Sequence, residues 1–177
     1  MRTLKNWIFL PAAALLLIAP VAGLAEQGGA DPIQTEHIRK ELATLPYYGV
    51  FDNLDFKVVG NTVVLSGQVV RPTTKSDAEH RVAKIEGVDR VENRIEVLPL
   101  SSFDNAIRFR TYRAVFSRGG LGRYSMGVNP SIHIVVDNGR VTLEGVVNSQ
   151  MDSQLAYIAA SEVPGVFSVK NNLRVEK

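Results

Sequence analysis

The chain has 177 residues, with 20 basic and 18 acidic side chains, three histidines and no cysteine. The missing cysteines exclude disulfide stapling, a lipidated-cysteine anchor and a thiol nucleophile. Two of the cations, Arg2 and Lys5, fall in an apparent leader, so 18 basic residues face 18 acidic ones downstream, and a generally basic nucleic-acid-binding surface is excluded.

That leader comes first. Arg2 and Lys5 precede an apolar stretch over residues 7–19, too short to span a bilayer comfortably, and Gly23-Leu24-Ala25 follows as a small-residue cleavage pattern. Residues 1–25 are therefore expected to be a cleaved signal peptide, with Glu26 opening the exported chain and residues 26–33 as a linker. Asp31-Pro32-Ile33-Gln34 has the form of an N-cap, a proline at the first helical position and a capping-box partner. Ile38, Leu42 and Leu45 then recur at i, i+4, i+7 as one apolar helix face, which Pro46 ends.

Phe56 and Val58 alternate around Lys57, Gly60-Asn61 turns the chain, and Val63, Leu65, Gly67 and Val69 share the buried side of a second strand. Pro72-Thr73-Thr74 and Ser76 open a second helix with Ala78, Val82 and Ile85 on its apolar face. Gly87 follows as a left-handed helix stop. Val91, Ile95 and Val97 then alternate with Glu92, Arg94 and Glu96 in a third strand, half-buried and parallel to the second.

The whole arrangement occurs twice. Residues 56–97 align without a gap on 134–175 at an offset of 78, with Val63/Val141, Leu65/Leu143, Gly67/Gly145, Val69/Val147, Gly87/Gly165 and Asn93/Asn171 among the matched pairs. Ile38-Arg39 matches Ile107-Arg108 at an offset of 69, so about nine extra residues lie in a glycine-containing loop over 117–130. The expected class is α+β: two tandem αββαβ modules over residues 34–98 and 101–177, each a three-stranded mixed sheet covered on one face by two helices. Gly67 and Gly145 are expected to point inward, where a missing side chain lets a helix approach or permits a bulge. Asn93 and Asn171 also point inward and are expected to tie down neighbouring backbone.

These segments resemble the BON domain family. They are Val63-Val64-Leu65-Ser66-Gly67-Gln68-Val69 with Ile85-Glu86-Gly87-Val88-Asp89-Arg90-Val91-Glu92-Asn93, and their counterparts Val141-Thr142-Leu143-Glu144-Gly145-Val146-Val147 with Val163-Pro164-Gly165-Val166-Phe167-Ser168-Val169-Lys170-Asn171. The resemblance implies αββαβ modules, usually periplasmic and commonly in tandem. It further implies an association with phospholipid or membrane surfaces, envelope integrity and osmotic stress, and for some members a place in secretin or channel proteins. The enlarged loop of the second copy departs from the pattern.

Chemistry is sparse. His37, His80 and His133 are scattered and lack metal-ligand spacing, and no serine sits in a nucleophile elbow. Gly119-Gly120-Leu121-Gly122 follows a helix instead of a strand and reads as a flexible loop, not a phosphate cradle. An enzyme, a cofactor and a metal site are not expected. Charge is more informative: residues 26–100 carry 9 basic and 12 acidic side chains, residues 101–177 carry 9 and 6. Arg108, Arg110, Arg113, Arg118 and Arg123 fall on one helix and its loop, interleaved with Phe109, Tyr112, Phe116 and Tyr124. Two readings stay open. The arginines, with Leu121, Tyr124, Met126 and Val128 in the loop, form a contact for anionic phospholipid or an envelope component. Alternatively, Phe109, Tyr112 and Phe116 pack on the first module across Leu98-Pro99-Leu100. The expected function is a non-enzymatic periplasmic module docking on anionic phospholipid or envelope surfaces, in support of envelope integrity or a stress response. The alternative is a protein-interaction adaptor for an envelope complex or secretion channel.

Overall fold

The computed structural model describes residues 32–127 and 129–176. The expected leader, the Asp31 cap and Val128 lie outside them. In chain order the elements are α1 (Pro32–Ala43), β1 (Asn53–Val59), β2 (Thr62–Val69), α2 (Pro72–Val82), β3 (Arg90–Asn93) and β4 (Glu96–Val97). The second copy follows with α3 (Ser102–Phe116), a 3-10 helix (Leu121–Ser125), β5 (Ile132–Asp137), β6 (Arg140–Val147), α4 (Gln150–Ser161), β7 (Ser168–Asn171) and β8 (Arg174–Val175). Helix α1 starts at Pro32, two residues inside the expected linker.

Each copy is a mixed sheet. β2 lies at the centre, antiparallel to β1 and parallel to β3, and β6 stands in the same relation to β5 and β7. β4 and β8 keep the register of β3 and β7 against the central strand, so each pair is one strand interrupted at two residues. The asparagines explain the interruption. Asn93 Oδ1 accepts from the Ile95 amide at 3.1 Å while its Nδ2 donates to the Lys75 carbonyl of α2 at 3.0 Å. Asn171 does the same with Leu173 at 3.2 Å and the Ser153 carbonyl of α4 at 3.2 Å. Neither is buried as the alternation suggests: Asn93 is half-buried and Asn171 exposed, because both lie on edge strands that the helices only partly cover.

The apolar periodicities meet in two cores. Ile38, Leu42 and Leu45 pack with Val63, Leu65, Val69, Ala78, Val82 and Ile95. Ile107, Val115, Ile134, Val136, Val141, Leu143, Val147 and Ala156 form the second core, which also takes in Leu121 and Tyr124 from the enlarged loop. Gly87 and Gly165 adopt φ of 83° and 93°, the left-handed conformation that glycine tolerates without strain. However, α2 and α4 have already ended at the right-handed caps Ala83 and Glu162, so these glycines turn the chain toward β3 and β7 and do not stop the helices.

The modules touch through the segment between α1 and β1. All of Ile132, His133, Ile134, Val135 and Val136 in β5 are buried, although period two would leave His133 and Val135 on the helix-free face of the sheet. The first module covers them. The Ile134 amide donates to the Val50 carbonyl at 2.7 Å, which satisfies a backbone donor on the outer edge of β5. His133 Nδ1 lies 3.2 Å from the Gly49 carbonyl, and Asn129 Nδ2 donates to the Ala43 carbonyl at 2.6 Å.

Phe51 completes the contact, edge-on to Phe109 at 5.4 Å and to Tyr112 at 6.3 Å, with Tyr112 in turn edge-on to Phe116 at 4.8 Å. Phe109 and Tyr112 of the α3 stripe thus meet the first module, although Phe109 stays 59% exposed and Phe116 packs on the second core. Phe51→Ala is expected to cost about 2 kcal/mol, part of the cost of truncating a fully buried aromatic. Calorimetry should then resolve two transitions where the parent gives one.

Candidate functional site

The arginine cluster does not form one surface. Arg108 is only 2% exposed; its Nη2 donates to the Val136 carbonyl at 2.7 Å and its Nη1 to Asn105 Oδ1 at 2.6 Å. Burial depresses its pKa, against the opposing fields of Asp104, Asp52 and Asp137. Period 3.6 brings position 108 toward β5, and the first module closes over it. The matching Arg39 of the first copy instead makes an exposed ion pair with Glu36.

The loop residues go inward too. Leu121 and Tyr124 are buried in the second core, so an external contact through them is overturned. The segment expected to be a flexible glycine loop is organised as the 3-10 helix and closed by a polar hub. Tyr124 Oη donates to Asp152 Oδ2 at 2.9 Å and accepts from the Asn148 amide at 2.8 Å. Ser149 Oγ and Arg123 Nη2 donate to the same carboxylate oxygen at 2.7 and 2.8 Å. These bonds, Ser149 first, hold the Asp152 carboxyl below its usual range. Arg118 pairs with Glu162. Among the expected contact residues Arg123 is exposed but tied to Asp152, which leaves Arg110, Arg113 and Met126 on the open surface. Neither arginine has an acidic partner within ion-pair distance among the described residues, and Met126 is 74% exposed.

An apolar surface not singled out in the sequence lies beside Arg110. Phe103, near the start of α3, stands 6.0 Å from Phe167, which follows α4, and both rings close over Gly139. Arg110 Nη1 reaches the Pro164 carbonyl at 3.4 Å at the same end of the module. On the outside of α4, Met151, Tyr157 and Ile158 are exposed, and its solvent-facing positions carry no charge.

The offset of 78 shows what changed between copies. Met151, Tyr157, Ile158 and Phe167 replace Thr73, Glu79, His80 and Asp89, while Phe103 stands at the place of Gln34. In the first copy the same corner is polar, with Asn61 Nδ2 donating to Asp89 at 2.9 Å. The pairwise replacement was legible in the sequence once the copies were aligned; its exposure was not.

A family model described as BON domain matches residues 30–99 and again 124–177, together more than half of the chain. The chain belongs to the BON domain family. Comparison with curated proteins finds no match. Two solved structures of CdsD, described as a structural protein of the Type III secretion system of Chlamydia trachomatis, are each 12% identical to it. One covers 81% of this chain and 93% of that chain at a TM-score of 0.32; the other, a C-terminal domain, covers 83% and 99% at 0.30. At those scores the likeness carries no argument.

BON proteins are non-enzymatic binding modules, typically periplasmic or envelope-associated. The second BON match begins inside the 3-10 helix, so α3 and the first part of the loop lie outside it. No group of metal-ligating side chains occurs among the described residues, and no helix among them is long and apolar enough to cross a membrane.

Proposed function

We propose that this tandem BON protein is a periplasmic module that docks on anionic phospholipid surfaces through its second copy. The observation that carries the reading is the exchange of polar for apolar side chains between copies. Met151, Tyr157, Ile158, Phe103 and Phe167 are exposed apolar side chains that only the second copy carries, and Arg110 and Arg113 of the adjoining α3 have no carboxylate partner among the described residues. Aromatic and aliphatic groups enter a headgroup layer while guanidinium groups remain at the phosphates, so the two residue classes act at different depths. Attachment by this route is peripheral and reversible, and in that form it would support envelope integrity or a stress response.

Co-sedimentation with anionic and zwitterionic vesicles tests it. Each near-surface arginine contributes about 1 kcal/mol, so Arg110→Ser with Arg113→Ser should weaken binding to anionic vesicles at low salt by more than tenfold. The same pair should flatten the salt dependence and leave the melting curve unchanged. Phe167→Ser should weaken binding at every salt concentration, because its share is burial and not charge. A parent protein that ignores anionic vesicles at low salt sinks the reading. The uncharged α4 face would then fall to an envelope protein, the adaptor alternative.

A further inference from the structure

A second feature lies away from that face, in the cleft between the modules. The cleft has a volume of about 600 Å³, and Tyr47, Phe51, Leu100 and Phe109 form apolar walls around Arg71 and Arg108. Arg71 lies with its guanidinium 4.8 Å from the centre of the Tyr47 ring. It makes no ion pair among the described residues, and it provides no side-chain cap to α2.

Arg108 is the decisive residue. An arginine that is only 2% exposed normally has a carboxylate against it, because a buried charge without one is costly. Here, among the described residues, no carboxylate lies within ion-pair distance and Nε has no hydrogen-bond partner. The acids nearby are occupied elsewhere. Asp52 accepts from the Gly49 and Val70 amides at 3.0 and 2.7 Å, and Asp104 accepts from the Asn138 and Gly139 amides at 3.0 and 2.8 Å. Arg39, at the same place in the first copy, has its acid beside it. The difference between copies therefore leaves one buried cation that feels Asp104, Asp52 and Asp137 only at a distance, with no direct ion pair among the described residues, at the wall of an aromatic cleft.

We infer that the inter-module cleft binds a small organic anion, its phosphate or carboxylate head held by Arg71 and Arg108 and its apolar body lying between Tyr47, Phe51 and Phe109. Guanidinium forks match the oxygens of such a head, and the aromatic walls remove an apolar body from water. Asp52 confines the head to the arginine side. The inference stands independently of vesicle docking, since the cleft and the α4 face share no residue.

The test uses the exported chain free of vesicles, with anilinonaphthalene sulfonate as a fluorescent organic anion. Dihexanoyl phosphatidylglycerol below its micelle concentration and inorganic phosphate are the competitors. Saturable one-to-one binding of the sulfonate is expected, weakened about tenfold by Arg71→Ser, the worth of one charge-assisted hydrogen bond. Arg108→Met should abolish it; where that variant does not fold, Arg71→Ser decides alone, because Arg71 is exposed. Displacement by phosphate assigns the head to a free phosphate compound, and displacement by the short-chain lipid alone assigns it to a lipid headgroup. Absence of saturable binding at millimolar probe, or equal binding by parent and Arg71→Ser, overturns the inference. Loss of vesicle binding in Phe167→Ser with the sulfonate still bound separates this site from the docking face.

Discussion

Replacing Gly145 with alanine is expected to cost the second module on the order of 3 kcal/mol or more, a large share of the stability of an ordinary domain. A Cβ there would sit 2.0 Å from the Ser131 carbonyl oxygen, just before β5, so the close neighbour is backbone beside the strand and not the expected helix. Its φ is 121°, where side chains are strained even with space. Gly67→Ala should do the same to the first module, since its Cβ would lie 2.1 Å from the Asn53 carbonyl oxygen at φ of 114°. The obstacle is backbone, which cannot rotate aside, so alanine suffices and valine is not needed. Gly60→Asn is the control: it has open space, φ is 57°, and Asn138 already occupies the matching turn position at 48°. That change should cost about 1 kcal/mol or less. Denaturant melts that find Gly145→Ala as mild as Gly60→Asn would refute the close-approach account.

The second large effect is at Tyr124. Tyr124→Ala removes a ring that is 95% withdrawn from water along with the partner of the Asn148 amide, and is expected to cost about 3 kcal/mol. Tyr124→Phe keeps the ring and should cost about 1 kcal/mol. The hub has a pH signature. The folded Asp152 carboxyl lies below its unfolded value of 3.8, so it stabilises the fold above that pH, and the contribution is lost as pH falls through the lower, folded pKa. The phenylalanine variant has one donor fewer on that carboxylate, so its acid-limb loss should be smaller than the parent's. Substitution of Asp152 together with Tyr124 should be less than additive, since the two share one network. Had the loop faced solvent as a contact, Tyr124→Ala would leave stability unchanged; equal melts would restore that reading.

The acid hub shows how local signals end where packing begins. Ser149 three residues before Asp152, at the head of an apolar period, announces a cap, and the Ser149 side chain does accept from the Asp152 amide at 3.1 Å. Nothing in the spacing says that Tyr124, 28 residues away, donates to the same carboxylate. The second core takes in Leu121 and Tyr124 because the extra loop residues bring apolar volume with them, which the first copy does without. Comparison of copies therefore misled where one copy had added to its core, and informed where positions were exchanged one for one, as at Asp89 and Phe167.

The sequence by itself determined the two modules, their α+β class, the parallel and antiparallel sense of the strands, and the need for glycine at positions 67 and 145. Each of these follows from periodicity, turn chemistry and a gapless repeat, which act within a module over short stretches of chain. The tertiary structure alone decided the fate of the arginines. Arg108 and Arg110 stand two apart on one helix, yet one is buried without an acid and the other faces solvent, because Val50 and Phe51 of the first module close over a single side of α3. Burial of that kind depends on contacts between residues more than fifty positions apart, and no local pattern encodes them.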